Sequence, residues 1–110
     1  SRTKKFILMK DLIEANYKSI VDRGLIAPST NYFEFINKLD EEVKEFKYAL
    51  EYFMRNDKLG FKPMHIDVCE ELSDVIMVCL NFAKHYNIDI EQEIKNKIEV
   101  NKQRAKNGKK

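Results

Sequence analysis

Apolar residues recur at intervals of three and four along most of the chain, which is the period of amphipathic α-helices. Two glycine–proline pairs interrupt this pattern, Gly24 with Pro28 and Gly60 with Pro63, and such residues commonly mark breaks between helices. A further break is predicted near residues 86–87. The pattern therefore predicts four helices that bury their apolar stripes against one another in an all-α, four-helix bundle-like fold.

The first two predicted helices are separated by the loop RGLIAPST. The first helix runs from about Phe6 to Val21. The second begins after Asn31, because Asn31 and Glu34 have the spacing of a capping box. The apolar stripe of the second helix consists of Phe35, Leu39, Val43, Phe46, Leu50 and Phe53. This regular stripe predicts a long helix that is buried along one side.

The third helix is predicted to begin near Pro63, since a proline in the first turn loses no helical hydrogen bond. Its apolar stripe consists of Val68, Leu72, Val75, Ile76, Cys79, Leu80 and Ala83. The stripe predicts that Cys79 and, at its edge, Cys69 are buried thiols. Asp89 followed by Gln92 predicts the start of a fourth helix. The apolar positions of this last helix are Ile90, Ile94 and Ile98.

Length and composition are typical of one soluble domain. The chain has 110 residues, of which 44% are hydrophobic and 35% charged, so residues 1–110 are predicted to form a single domain. No apolar run approaches the ~18 residues of a membrane helix, and the segment FILM at residues 6–9 is too short for the core of a signal peptide. These features predict a cytoplasmic protein that does not enter a membrane.

The net charge of +2 is small, but basic residues are concentrated in a tail at residues 102–110, which contains no acid. A solvated tail is the ordinary interpretation, and attraction of a polyanion such as a nucleotide or nucleic acid is the alternative. Binding of nucleic acid is disfavoured because positive and negative charges are balanced upstream of the tail.

An acidic pattern occurs twice, as EEVKE at residues 41–45 and as EELSD at residues 70–74. Glu42 with Glu45 and Glu71 with Asp74 are three residues apart, so each pair lies about 5–6 Å apart on one helix surface. If the second and third helices pack antiparallel, as we expect, the four carboxylates border one cleft. Such hard oxygen ligands suit Mg²⁺ or Mn²⁺. The alternative is a set of ordinary surface acids paired with nearby lysines.

The fourth helix carries a polar row beside its isoleucines, formed by Lys97, Asn101 and Arg104. Long basic side chains at the edge of an apolar stripe commonly extend to solvent. The alternative is that these cationic and amide donors face the anionic end of a ligand whose metal ions the carboxylates hold.

Taken in order, Glu42-x-x-Glu45, Glu71-x-x-Asp74 and Lys97-x-x-x-Asn101-x-x-Arg104 resemble the motifs of the MazG-like, all-α nucleoside triphosphate pyrophosphohydrolases. The resemblance covers about residues 32–105, and EELSDVIMVCLNFAKHYNIDI followed by KIEVNKQR is its most specific part. Phosphoribosyl-ATP pyrophosphatases and dimeric dUTPases are related branches. The former usually continue with a Tyr-His pair where VIMVCL stands here, which argues against that branch.

The resemblance implies a Mg²⁺-dependent enzyme that cleaves a nucleoside triphosphate between its α- and β-phosphates, with Mn²⁺ as a possible substitute. By position, the implied metal ligands are Glu42, Glu45, Glu71 and Asp74. Glu42, Glu45 and Glu71 are the implied catalytic carboxylates, one of which orients or deprotonates the attacking water. The implied phosphate-binding residues are Lys97, Asn101 and Arg104.

A homodimer or homotetramer is also expected, since aromatic side chains surround the second helix on more than one side and the resemblance points the same way. Two other functions remain open from the residues alone. One is a non-catalytic helical module that binds a nucleotide or a partner helix, and the other is a small nucleic-acid-binding protein that uses the basic tail.

Overall fold

The computed structural model describes residues 8–56 and 63–108. Within them the backbone forms no strand and four helices, which are α1 Met9–Asp22, α2 Tyr32–Asn56, α3 Ile66–His85 and α4 Ile90–Lys106. The all-α prediction is confirmed. The predicted start of the first helix at Phe6 and the turn around Gly60 lie outside the described residues.

Local capping interactions fix the start of α2 and of α4 where the sequence predicted them. Asn31 Oδ1 accepts hydrogen bonds from the backbone N–H groups of Phe33 (3.0 Å) and Glu34 (3.3 Å). Glu34 Oε2 in turn accepts from the backbone N–H of Asn31 at 2.9 Å, which completes the capping box. At α4, Asp89 Oδ1 accepts from the backbone N–H of Gln92 at 3.1 Å. These bonds satisfy N–H groups that have no partner inside the helix.

The helix α3 begins three residues after Pro63, with His65 as its capping residue. His65 Nδ1 accepts from the backbone N–H of Asp67 at 3.1 Å. The helix ends at His85, and Asn87 adopts a left-handed conformation with φ of 55°. Asparagine tolerates this conformation better than most residues, so it suits the reversal that leads into α4. The predicted end near residues 86–87 is confirmed.

Helices α2 and α3 pack antiparallel, as predicted. Near the start of α2, Phe35 makes an edge-to-face contact with Phe82 near the end of α3, with 5.6 Å between ring centroids. Near the end of α2, Tyr52 and Phe53 border a depression together with Asp67 at the start of α3. The contacts of α2 therefore run in the reverse order along α3.

Helix α1 and the loop after it are attached to α3 through His85. Nε2 of His85 lies 2.7 Å from the carbonyl oxygen of Thr30, and Nδ1 lies 2.8 Å from the hydroxyl of Tyr17. A carbonyl oxygen can only accept, so Nε2–H donates to Thr30, and Nδ1 shares a second hydrogen bond with the Tyr17 hydroxyl. One imidazole thus connects α1, α3 and the loop. The buried apolar residues in the described part of the chain are Ile13, Ile26, Phe35, Val68, Val78 and Ala83.

The inward face of α3 differs from the predicted stripe. Leu72 and Ile76 are exposed, whereas Val78 and Asn81 are buried and Glu71 is half-buried. The prediction of two buried thiols is wrong, because the free cysteines Cys69 and Cys79 are both exposed. Helix α3 packs against α1 as well as α2, so the side of α3 that carries Val78 is buried. In the isolated chain, the Leu72 and Ile76 side faces outward.

Helix α4 projects from the other three. Every residue from Glu91 to Gly108 is exposed, including Ile94 and Ile98 at 41% and 46%. The single chain therefore packs three helices together and leaves the apolar stripe of the fourth uncovered. No helix in the described ranges, residues 8–56 and 63–108, is both long and apolar enough to cross a membrane.

Candidate metal centre and adjoining cavity

Three of the predicted acidic residues meet where α2 crosses α3. Glu42 and Glu45 lie one turn apart on α2, and Glu71 lies opposite them on α3. One carboxylate oxygen of each lies within 4.8 Å of the other two. We call these three residues the carboxylate cluster. Its geometry follows from the antiparallel packing, which places the middle of α2 against the first half of α3.

The cluster extends from the interior to the surface. Glu42 is 7% exposed, Glu71 is half-buried and Glu45 is exposed. Oε2 of Glu42 and Oε2 of Glu71 are both buried, and neither has a hydrogen-bond partner among the described residues. An unpartnered buried polar atom typically costs about 1–3 kcal/mol, and more when it is charged. The cluster therefore contains two buried oxygens for which a cation is the natural partner.

The ammonium group of Lys38 partly neutralises the cluster. Lys38 Nζ lies 3.1 Å from Oε1 of Glu42 and 3.5 Å from Oε2 of Glu41. The hydrogen bond to Glu42 raises the pKa of the Lys38 ammonium above its usual value, although partial burial opposes this. Lys38 consequently stays charged, but it reaches only one oxygen of Glu42 and leaves the other without a partner.

The mutual repulsion of the carboxylates acts on the residue at the surface. The negative charge of Glu42 raises the pKa of the Glu45 carboxyl above its usual value, and hydrogen bonding to Glu42 and the charge of Glu71 act in the same direction. A divalent cation relieves this repulsion. The donor set fits Mg²⁺ or Mn²⁺, which prefer oxygen ligands and are commonly held by a few carboxylates together with water and phosphate.

Asp74, the fourth predicted ligand, lies one turn beyond Glu71 and outside the carboxylate cluster. It borders instead a cavity of about 440 Å³, which Glu42 also lines. The structure thus brings three of the four predicted carboxylates together and places the fourth on the wall of the adjoining cavity.

Four parts of the chain line this cavity, namely α1, the loop after it, α2 and α3. Its polar lining residues are Asn16, Arg23, Thr30, Glu34, Lys38, Glu42, Asp74 and Asn81. Sequence reasoning missed the contribution of α1 and the loop, because neither carries a recognisable motif. One signal was present in α3, where Asn81 lies seven residues after Asp74 and therefore on nearly the same side of the helix.

The polar row of α4 is not part of this arrangement. Lys97, Asn101 and Arg104 are all exposed. None of them lines the cavity beside Glu42. In the single chain, these three residues therefore do not meet the carboxylates as the sequence predicted.

Comparison with protein-family models, curated proteins and solved structures finds no match to this chain.

Proposed function

We propose that this protein is a Mg²⁺-dependent nucleotide pyrophosphohydrolase that converts a nucleoside triphosphate into a monophosphate and pyrophosphate. The observation that supports it best is the carboxylate cluster, in which buried oxygens of Glu42 and Glu71 have no hydrogen-bond partner within residues 8–56 and 63–108. The order of the acidic and basic motifs, with its resemblance to the MazG-like enzymes, supplies the reaction. Mg²⁺ is the expected cofactor, with Mn²⁺ as a substitute.

Glu42, Glu45 and Glu71 hold the metal in this proposal, and Asp74 completes its surroundings on the side of the cavity. When bound, the metal neutralises phosphate charge and makes a coordinated water more acidic. Glu45 is the best placed proton acceptor, because it is the exposed member of the carboxylate cluster and can reach a water that enters from solvent. Water attacks the α-phosphorus, the bond from that phosphorus to the bridging oxygen breaks, and pyrophosphate leaves.

Self-association is part of the proposed function. Tyr48 and Tyr52 on α2 are 74% and 71% exposed, and apolar side chains on the outward side of α3 and on α4 are uncovered. Exposed apolar surface of this extent commonly marks an interface. In a homodimer or homotetramer, α4 is covered by another copy, and Lys97, Asn101 and Arg104 bind phosphate oxygens at a carboxylate cluster.

A second candidate function is a non-catalytic module that binds a nucleotide or a partner helix. The uncovered aromatic surface of α2 favours it, because such a surface suits a partner protein as well as another copy of the chain. In that case the carboxylate cluster binds a cation without turnover.

The test is an assay of pyrophosphate release with the common ribo- and deoxyribonucleoside triphosphates, with and without Mg²⁺. Metal-dependent release of pyrophosphate from at least one of them supports the proposal. Binding of a nucleotide without any release supports the second function. Release of phosphate instead of pyrophosphate contradicts cleavage between the α- and β-phosphates.

A further inference from the structure

We infer that the cavity beside Glu42 is a nucleobase site and that the side-chain amides of Asn16 and Asn81 read the hydrogen-bonding edge of the base. The choice of a nucleotide as the ligand rests on the proposed function. The test below measures binding without metal and without turnover, so its outcome is independent of hydrolysis.

The two asparagines form a polar contact between α1 and α3 on the cavity wall. Nδ2 of Asn16 donates to Oδ1 of Asn81 at 2.8 Å, and both residues line the cavity. Asn81 is 7% exposed, and Asn16 is half-buried. Replacing both partners of such a bond by apolar groups of the same shape is often neutral for stability. Helix packing alone therefore gives little reason for two amides at this position.

The contact leaves much of the hydrogen-bonding capacity of the pair unused. A carboxamide has two N–H donors and an acceptor oxygen, and this bond uses one donor of Asn16 and one lone pair of Asn81. No other described residue forms a hydrogen bond with Oδ1 of Asn16 or Nδ2 of Asn81, so these atoms remain beside the contact as an acceptor and a donor. The Watson–Crick edge of every nucleobase presents donors and acceptors side by side, and enzymes read an unstacked base through that edge.

The rest of the cavity suits a flat, largely apolar ring. Its apolar lining residues are Ile20, Leu25, Ile26, Phe35, Met77 and Val78. Small-molecule sites commonly combine such a lining with a few well-placed polar groups. The wall is also well fixed, since the Tyr17–His85–Thr30 connection attaches α1 and its loop to α3.

The position of the cavity determines which end of a nucleotide it takes. Glu42 belongs both to the carboxylate cluster and to the cavity lining. A ligand with its phosphates at the cluster therefore directs its other end into the cavity, toward Asn16 and Asn81. Arg23 also lines the cavity and can bind the sugar or the α-phosphate.

The test uses calorimetric titration of the full chain with the four common nucleoside 5′-monophosphates, in the presence of a chelator and without divalent metal. The wild-type protein is expected to bind one base at least about tenfold more tightly than the weakest of the four, because unmatched buried polar groups penalise the wrong base. The double variant Asn16→Leu/Asn81→Leu is expected to lose this preference. The control is Asn37→Leu, at an exposed position of α2 that does not line the cavity.

A second variant, Asn16→Asp, tests the inference even if the double leucine variant does not fold. In Asn16→Asp the new carboxylate can only accept, so the amide of Asn81 donates to it and leaves a different group toward the cavity. The order of preference among the four bases is then expected to change, with a circular dichroism melting curve close to that of the wild type.

Three results overturn the inference. The first is that the wild-type protein binds none of the monophosphates, and the second is that it binds all four equally. The third is that the preference survives in both variants, which leaves the asparagine pair a packing contact only. Pyrophosphate release is measured separately. A base preference without release of pyrophosphate contradicts the proposed hydrolysis and supports the base site. Release of pyrophosphate without a base preference supports the hydrolysis and contradicts the base site.

Discussion

The region where α2 crosses α3 and the exposed helix α4 both carry polar side chains beside an apolar stripe, yet only the first is packed against another helix. At the crossing, Glu42, Glu45 and Glu71 come within 4.8 Å of one another. On α4, Lys97 and Arg104 are exposed and none of the other three helices covers them. Polar side chains that flank an apolar stripe are thus brought together at the crossing, whereas on α4 they stay in solvent.

The difference lies in what each stripe can bury. The stripe of α2 contains Phe35, which is 6% exposed, and several half-buried aliphatic and aromatic residues. Burying one large apolar side chain contributes about 1.5–3 kcal/mol, so this stripe holds α3 firmly and brings the carboxylates together against their repulsion. The stripe of α4 offers mainly Ile94 and Ile98, which are separated by charged residues. Such a narrow stripe needs a second surface of matching shape, and in our proposal another copy of the chain supplies it.

The strongest test of the crossing region is Glu71→Gln. We expect Mg²⁺-dependent pyrophosphate release to fall by at least about 100-fold, because a ligand that helps to neutralise the phosphates is lost. The matched control is Glu70→Gln, an exposed neighbour outside the cluster, which should retain near-normal turnover. The stability of the metal-free protein should hold or rise, since a repulsive charge disappears while the shape is kept. Normal turnover in Glu71→Gln would contradict the metal-centre proposal.

The role of α4 is tested by Arg104→Gln. Hydrogen bonds to charged groups contribute about 1.5–3 kcal/mol, so loss of a phosphate contact should lower kcat/KM by about tenfold or more. The control is Lys102→Gln, because Lys102 is also exposed on α4 but pairs with Glu99 at 3.2 Å. Equal activity of both variants would mean that the polar row of α4 is an ordinary solvated surface.

The dependence of α4 on another copy is tested by Ile98→Glu. The substitution places a charge on the uncovered stripe, so light scattering should show dissociation to a 13.1 kDa chain. Turnover should fall together with the oligomer. A wild-type protein that is already a monomer at micromolar concentration would refute the assembly, and α4 would then remain an exposed helix in solution.

Mg²⁺ should also stabilise the crossing region thermally. A ligand present at 100 times its Kd stabilises the folded state by about 2.7 kcal/mol, which corresponds to a rise in Tm of roughly 10 °C for a domain of this size. Scanning calorimetry should show this rise for the wild type and for Glu70→Gln, and not for Glu71→Gln. A similar rise in all three proteins would indicate a general salt effect.

Local features of the fold could be predicted from sequence, and features set by the angle between helices could not. The capping bonds of Asn31 and Asp89 involve residues within three positions, so their spacing is sufficient to identify them. The cluster was largely predictable, because the spacing within each helix and the antiparallel packing place Glu71 opposite Glu42 and Glu45. The exposure of Cys79 and the cavity wall at Asn81 depend on where α1 packs on α3. A broad apolar stripe on α3 does not predict which side of the helix α1 packs against.

The smallest expected effect concerns the exposed end of the cluster. The pKa of the Glu45 carboxyl is raised in the folded protein above its ordinary value of 4.5, mainly by the charge of Glu42. The folded state therefore binds this proton more tightly than the unfolded state does. The resulting stabilisation is fully present below pH 4.5 and is lost as the pH rises through the raised pKa of the folded state.

Urea denaturation of the metal-free protein should consequently show that the difference in unfolding free energy between the wild type and Glu45→Gln changes with pH in this window. Relative to the variant, the wild type should gain stability as the pH falls, because the amide cannot titrate. The gain should be small, since solvent screens an exposed carboxyl.

The control is Glu51→Gln, at an exposed glutamate of α2 that lies 3.7 Å from Arg55 and outside the cluster. If Glu45→Gln and Glu51→Gln differ from the wild type in the same way at every pH, the carboxylates at the crossing do not repel one another in solution. The α2–α3 crossing would then differ from α4 in the packing of its apolar residues and not in the electrostatics of its carboxylates.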